Sequence, residues 1–93
     1  MWRIEEHRRV HKQAAAIPED ILKQYEKWKD IATISGPAGL RLIRGFLNET
    51  LSGEWRAYRS SRLGLQWCVI YRVIAEKLLF QVASITAHDY RRP

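Results

Sequence analysis

The sequence holds a single cysteine, Cys68, in 93 residues. One thiol cannot close an internal disulfide, and a zinc site built on cysteines would need thiolates from elsewhere. This usage fits a reducing cytoplasm. Long apolar runs are missing as well. Stretches such as Leu78 to Ala83 fall far short of the roughly 20 residues a membrane-spanning helix needs, and the amino terminus carries no signal-peptide core. The expectation is a soluble, cytoplasmic protein with no membrane partner. A chain of 93 residues has room for one modest core and no second folding unit, so residues 1–93 are read as one domain.

Acidic side chains are in deficit. Sixteen Lys and Arg against ten Asp and Glu give a net charge of +6 and a pI near 9.9, which favours a polyanionic partner. Arg outnumbers Lys, and its planar fork suits bidentate phosphate contacts better than an ammonium does. Gly36-Pro37-Ala38-Gly39 could be mistaken for a phosphate loop, but the Lys-Ser/Thr pair and the preceding apolar strand of a P-loop are missing. His7 and His11, spaced i and i+4 on an expected helix, could hold zinc if a third ligand arrived. The sequence supplies none, so they are read as surface histidines, and no metal or cofactor is expected.

What is present divides into two periodicities. Trp2 to Glu5 alternates apolar and charged residues, as a short strand or the lead-in to a helix would. Within Glu6 to Ala16 and just beyond, Val10, Ala14 and Ile17 form one helical stripe that Pro18 stops. Pro18 suits the first turn of a second helix, with Glu19 and Asp20 at its positive end. Ile21, Leu22, Tyr25, Trp28, Lys29 and Ala32 continue the period, giving a helix of about 15 residues that ends before Ser35-Gly36-Pro37. The two form a hairpin with a shared apolar face and solvent-facing charged sides. A short helical turn through Leu40, Leu42 and Ile43 follows, and Gly45 to Gly53 is read as a linker carrying Asn48, Glu49 and Ser52.

From Glu54 the period becomes two. Trp55, Ala57 and Tyr58 mix with Arg56, Arg59 and Arg62 in a first strand, with Ser60-Ser61 and Leu63-Gly64 marking its frayed end and turn. Leu65 to Ile74 reads as a central strand, Ala75-Glu76-Lys77 as a tight turn, and Leu78 to Ile85 as the returning strand. Two helices followed by an antiparallel meander imply an α+β fold with the helices on one face of the sheet. The other face is then left for function. Arg56, Arg59, Arg62 and Arg72 from the strands, with Arg91 and Arg92 from the tail, would make a basic RNA-binding patch there. The closing run His88-Asp89-Tyr90-Arg91-Arg92 is where chemistry is expected. A histidine, with an unperturbed pKa of about 6.5, both accepts and donates protons near neutrality.

Several segments together carry a resemblance over nearly the whole chain. They are the helical hairpin, Leu51-Ser52-Gly53-Glu54-Trp55, Arg59-Ser60-Ser61-Arg62, Gln66 to Val73, and Thr86-Ala87-His88-Asp89-Tyr90-Arg91-Arg92. In this order the sequence resembles the RelE/HigB/YoeB/YafQ superfamily of toxins from bacterial type II toxin–antitoxin pairs. The resemblance implies a helical hairpin on an antiparallel sheet, the RelE-like form of the barnase/EndoU-type microbial ribonuclease fold. It implies a metal-independent endoribonuclease that cuts mRNA, commonly in the ribosomal A site. It also implies silencing by a cognate antitoxin, with DNA engaged only through that complex. In such enzymes the ribose 2′-hydroxyl attacks the adjacent phosphate. Carried over, His88 is the proton-transfer residue, Tyr90 either shares that role or stacks on a base, and Arg62 takes the phosphate with Arg59 in support. Arg91 or Arg92 supplies a carboxy-terminal basic contact, and Glu49 lies near an acidic residue that some members use as a base. Cys68 stands where many relatives have a transition-state-stabilising arginine. Its presence implies either that Arg59 or Arg62 has taken over or that activity is weak or absent.

Plainer readings stand beside these. His88 could be a strand-end histidine bonded to Asp89 or the backbone, and Cys68 is either a small buried residue or a nucleophile paired with His88. Trp55, Tyr58, Trp67 and Tyr71 are read as packing aromatics. Three functions stay open: a ribonuclease toxin, a noncatalytic RNA-binding module, and a domain whose main business is binding an antitoxin peptide.

Overall fold

The structure, a computed structural model, describes residues 1–87. Its elements run β1 (Arg3–Glu6), α1 (Arg8–Ala14), α2 (Glu19–Arg41), β2 (Glu49–Thr50), β3 (Arg59–Arg62), β4 (Cys68–Ile74) and β5 (Leu79–Thr86), with 3-10 turns at Arg44–Phe46, Gly53–Trp55 and Ala75–Lys77. The strands make one five-stranded sheet in the order β1-β5-β4-β3-β2. From β2 to β5 it is the antiparallel meander that the sequence implies. β1 adds a parallel edge, Arg3 opposite Leu79 through Glu6 opposite Val82, so the sheet is mixed and the class α+β. Among the described residues no helix is long and apolar enough to cross a membrane.

α2 shows how local sequence sets an element. Pro18 precedes its first residue, Glu19 and Asp20 occupy its first turn, and the stripe Ile21, Tyr25, Trp28 and Ala32 is buried. The helical path breaks at Gly36, whose φ of 67° and ψ of −163° are open almost only to glycine. This is the expected stop, after which Pro37 starts a short second segment to Arg41. The indole of Trp2 lies where a Cβ on Gly36 would sit, while the Trp2 N–H donates to the Thr33 carbonyl at 3.0 Å. Gly36→Ala should therefore combine backbone strain with an overlap and lower the unfolding free energy by about 1–3 kcal/mol. Urea denaturation reads this, and a midpoint equal to the parent's would refute it.

The helices cover one face of the sheet. Trp28 is fully buried at the centre of an aromatic cluster, with ring centroids 6.0 Å from Tyr25, 5.1 Å from Tyr71 and 5.7 Å from Phe80. Val10, Ile17, Val69, Val82 and Ile85 close around it. Past Val82, β5 outruns β1 and its outer edge has no strand neighbour among the described residues. Gln13 of α1 takes over there: its carbonyl accepts from the Ile85 N–H at 2.8 Å and its amide donates to Ser84 Oγ at 2.9 Å. An edge N–H that a strand would pair is thus satisfied by a side chain.

Four expectations about the middle of the chain are corrected. The segment after Gly45 is not wholly linker, because Glu49–Thr50 pairs with Ser60 and Arg59 as an edge strand. The strand expected from Trp55 starts only at Arg59. Trp55 and Tyr58 pack on each other, with centroids 5.2 Å apart, across a turn in which the Tyr58 N–H donates to the Trp55 carbonyl. Ser61 is no frayed end but a fully buried strand residue. The central strand likewise begins at Cys68 rather than Leu65, which is 93% exposed in the β3–β4 turn.

Candidate nucleic-acid interface

The pleat sorts the candidate residues, because alternate side chains of a strand point to opposite faces. Tyr71 packs on Trp28 of α2, so its cross-strand partner Arg59 belongs to the helix-covered face. Arg62 lies three positions on from Arg59 and falls on the open face, opposite Cys68, which in turn pairs with Thr86 of β5. Glu49 pairs with Ser60, the residue two before Arg62, and so shares the open face with it. Arg72 joins them from β4, and its partner there is Gln81. The structure therefore brings Arg62, Glu49 and Arg72 to one surface and separates Arg59 from them. The sequence reading had grouped Arg59 with Arg62.

Arg59 is engaged on the other side. The Tyr71 hydroxyl donates to Asn48 Oδ1 at 2.8 Å, and Ser61 Oγ donates to the same oxygen. Asn48 Nδ2 donates in turn to the Leu40 carbonyl at 2.9 Å, tying the end of α2 to the sheet. Burial raises the Tyr71 pKa above its usual value, opposed by the polar side chains of Ser61 and Arg59 beside it and by the charges of Arg59 and Arg41. Asn48 was read only as a linker residue, and nothing local marks it, since polar residues are ordinary in connections. Its three bonds fix the backbone immediately before Glu49.

Tyr25 makes a parallel link between α2 and β1: its hydroxyl donates to Glu6 Oε2 at 2.5 Å, and Lys29 lies 3.6 Å from the same oxygen. Burial, and then the bond and charge of Glu6, push the Tyr25 pKa upward. Both phenols are thus held protonated in the fold, with pKa values above the unfolded value near 10. The folded state keeps protons that the unfolded chain releases, so this stability is fully present below about pH 10 and is lost as pH rises beyond it. Alkaline unfolding should be steep, and tyrosinate absorbance of Tyr25 and Tyr71 should appear only with loss of the circular dichroism of the fold. Tyr25→Phe should make the alkaline transition shallower.

On the open side, Arg72 Nε donates to Gln81 Oε1 at 2.7 Å, and the guanidinium lies over the Tyr58 ring, 5.6 Å from its centroid. Gln81 Nε2 donates onward to Glu5 Oε1 at 3.0 Å. Arg56 is exposed at the end of the Gly53–Trp55 turn. On the helix-covered side, the end of β3 at Arg62 also borders a cleft of about 290 Å³ with Gln24 and Lys27 of α2 and Phe46. Cys68 is half-buried. His88, Tyr90, Arg91 and Arg92 lie outside the described residues. In the sequence they come after Thr86 and Ala87, and Thr86, at the end of β5, is in register with Cys68. His7 caps α1, its Nδ1 accepting from the Arg9 N–H at 3.1 Å. Among the described residues no three His, Cys, Asp or Glu side chains are grouped to hold a metal ion.

No protein-family model and no curated protein matches the sequence. Solved structures do match. The archaeal RelE–RelB complex from Pyrococcus horikoshii OT3 superposes with a TM-score of 0.69 at 20% identity, over 98% of this chain and 96% of that one. The YoeB–YefM complex from Staphylococcus aureus gives 0.71 at 15% identity, over 96% and 99%. YafQ from E. coli gives 0.61 at 19% identity, over 91% of each. At such identities the likeness is one of architecture, and over essentially its full length this chain has the fold of the RelE, YoeB and YafQ toxins.

Proposed function

We propose that this protein is the toxin of a toxin–antitoxin pair, an endoribonuclease that cuts mRNA on the ribosome without a metal ion. The observation that carries the reading is the open face. Arg62, Glu49 and the end of β5 share that face, and the sequence runs on from β5 to His88 and Tyr90, within a fold shared with toxins solved in complex with RelB and YefM. The ribose 2′-hydroxyl attacks the adjacent phosphate, forming a cyclic phosphate and releasing the 5′-oxygen of the next nucleotide. Arg62 neutralises charge gathering on the phosphate. His88 transfers protons, Glu49 stands on the same face as a second acid–base group, and Tyr90 stacks on a base. Arg56, Arg72, Arg91 and Arg92 contribute the electrostatic footprint on RNA. Arg59 serves this site indirectly, through the Tyr71 and Asn48 network that holds the strand before Glu49. An antitoxin is the protein partner, and DNA is reached only through their complex. The protein acts in the cytoplasm.

The test is cleavage of a defined message by the purified protein, with and without programmed ribosomes, with cut sites mapped by primer extension. Cuts that appear with ribosomes and vanish when the antitoxin is added support the reading. Intact message under both conditions, together with salt-sensitive RNA binding, would instead establish a noncatalytic RNA-binding module.

A further inference from the structure

We infer that the cleft on the open face around Arg72, Gln81 and Glu5 is a base-reading pocket that takes guanine from single-stranded RNA. This rests on the reading of the chain as an RNA-binding protein and adds to it a preference for one base. The three residues lie side by side on adjacent strands, with Arg72 opposite Gln81 and Gln81 opposite Glu5. They line a cleft of about 300 Å³ that Tyr58 and His7 help to wall.

The charge pattern selects a base over a phosphate. The Glu5 carboxylate stands in the cleft beside its one guanidinium, so a phosphate entering there would meet like charge next to a cation that is already balanced. A nucleobase is neutral and presents donors and acceptors on its edges, which this set complements. Arg72 spends its Nε on Gln81 and rests on the Tyr58 ring, so its fork is held in one orientation. No other hydrogen bond among the described residues engages its terminal nitrogens. That pair fits the O6 and N7 acceptors of guanine. The Glu5 carboxylate accepts one bond from Gln81 and has lone pairs remaining, suited to the N1–H and N2–H donors of the same base.

Other bases fit less well. Adenine places an amine where Arg72 requires an acceptor, and uracil has no exocyclic amine for Glu5. Cytosine carries both kinds of group, but on one small ring. The outer strands that bear Arg72 and Glu5 stand about 10 Å apart, a span better bridged by a purine. The Arg72 and Arg62 rows share one face, separated along β4 by four residues, or about 13 Å, so a single bound RNA strand can reach both.

The experiment uses the full chain and short uridine-rich oligoribonucleotides, each with a single central G, A, C or U, followed by fluorescence anisotropy. The G oligonucleotide should bind about tenfold tighter than the other three. Arg72→Lys, which keeps the charge and loses the fork, should remove that preference. Glu5→Gln, at an exposed position, should remove it with an unchanged thermal midpoint. Equal affinity for all four oligonucleotides, a preference for C, or a G preference that survives both substitutions would overturn the inference. Binding is read without cleavage, so a protein that selects G and cuts nothing keeps this inference and loses the ribonuclease reading. One that cuts without base preference does the reverse.

Discussion

Replacing Trp28 with alanine should destabilise the domain by about 3–5 kcal/mol, a large share of the roughly 5–15 kcal/mol that holds a domain of this kind together. Trp28 is fully buried, and the rings of Tyr25, Tyr71 and Phe80 all pack against it. It is the point at which α2 meets β4 and β5, so the cavity left by truncation cannot be filled by movement of one neighbour. The indole Nε1 has no hydrogen-bond partner among the described residues, and an unpaired buried N–H is itself unfavourable by about 1–3 kcal/mol. Trp28→Phe removes that penalty while retaining an aromatic ring, so it should be much milder than Trp28→Ala. Urea denaturation of both variants checks the ordering. If Trp28→Ala costs no more than Trp28→Phe, the cluster is not the centre of the core.

The second large effect concerns cleavage. His88→Ala should slow mRNA cutting by about 10²–10⁴, the range of general acid–base catalysis, and Arg62→Ala by about 10²–10³, that of a lost charge stabiliser. Neither should move the unfolding midpoint appreciably. Arg59→Ala should behave differently, because its partner is the buried Tyr71 hydroxyl on the helix-covered face. Losing that bond should lower stability by about 1 kcal/mol and reduce cleavage only as far as the strand before Glu49 loosens. The contrast is decided by measuring initial cleavage rates and urea midpoints on the same three preparations. A catalytic collapse in Arg59→Ala at unchanged stability, with Arg62→Ala active, would show that the phosphate is held from the other face. The same rates bear on Cys68. If, on the proposed reading, Arg62 does the work that the sequence resemblance assigns to an arginine at position 68, Arg62→Ala should lie at the severe end of its range and Cys68→Ala should be nearly silent.

Much of the helical layer could be read from residues alone. The spacing of Ile21, Tyr25, Trp28 and Ala32 names the buried face of α2, and Gly36-Pro37 marks where it breaks, because a helix period and a helix stop are properties of a few consecutive residues. The turn at Ala75–Lys77 and the two long strands beside it were legible for the same reason. Trp55 misled because an aromatic residue near a run of alternating side chains carries the same signal whether it opens a strand or packs in a turn. Asn48 gave no signal, since its partners Leu40, Ser61 and Tyr71 are distant or unremarkable in sequence.

The amino-acid sequence by itself determined a basic chain of α+β class, its helical apolar stripe and the strands of its meander, all of which depend on composition and short-range periodicity. Only the tertiary structure decided that β1 pairs in parallel with β5, that Arg59 and Arg62 part to opposite faces, and that Arg72, Gln81 and Glu5 stand in one row. The physical reason is register. A strand's side chains alternate from wherever pairing begins, and a shift of one residue exchanges the two faces. That starting point is set by hydrogen bonds between segments far apart in the chain.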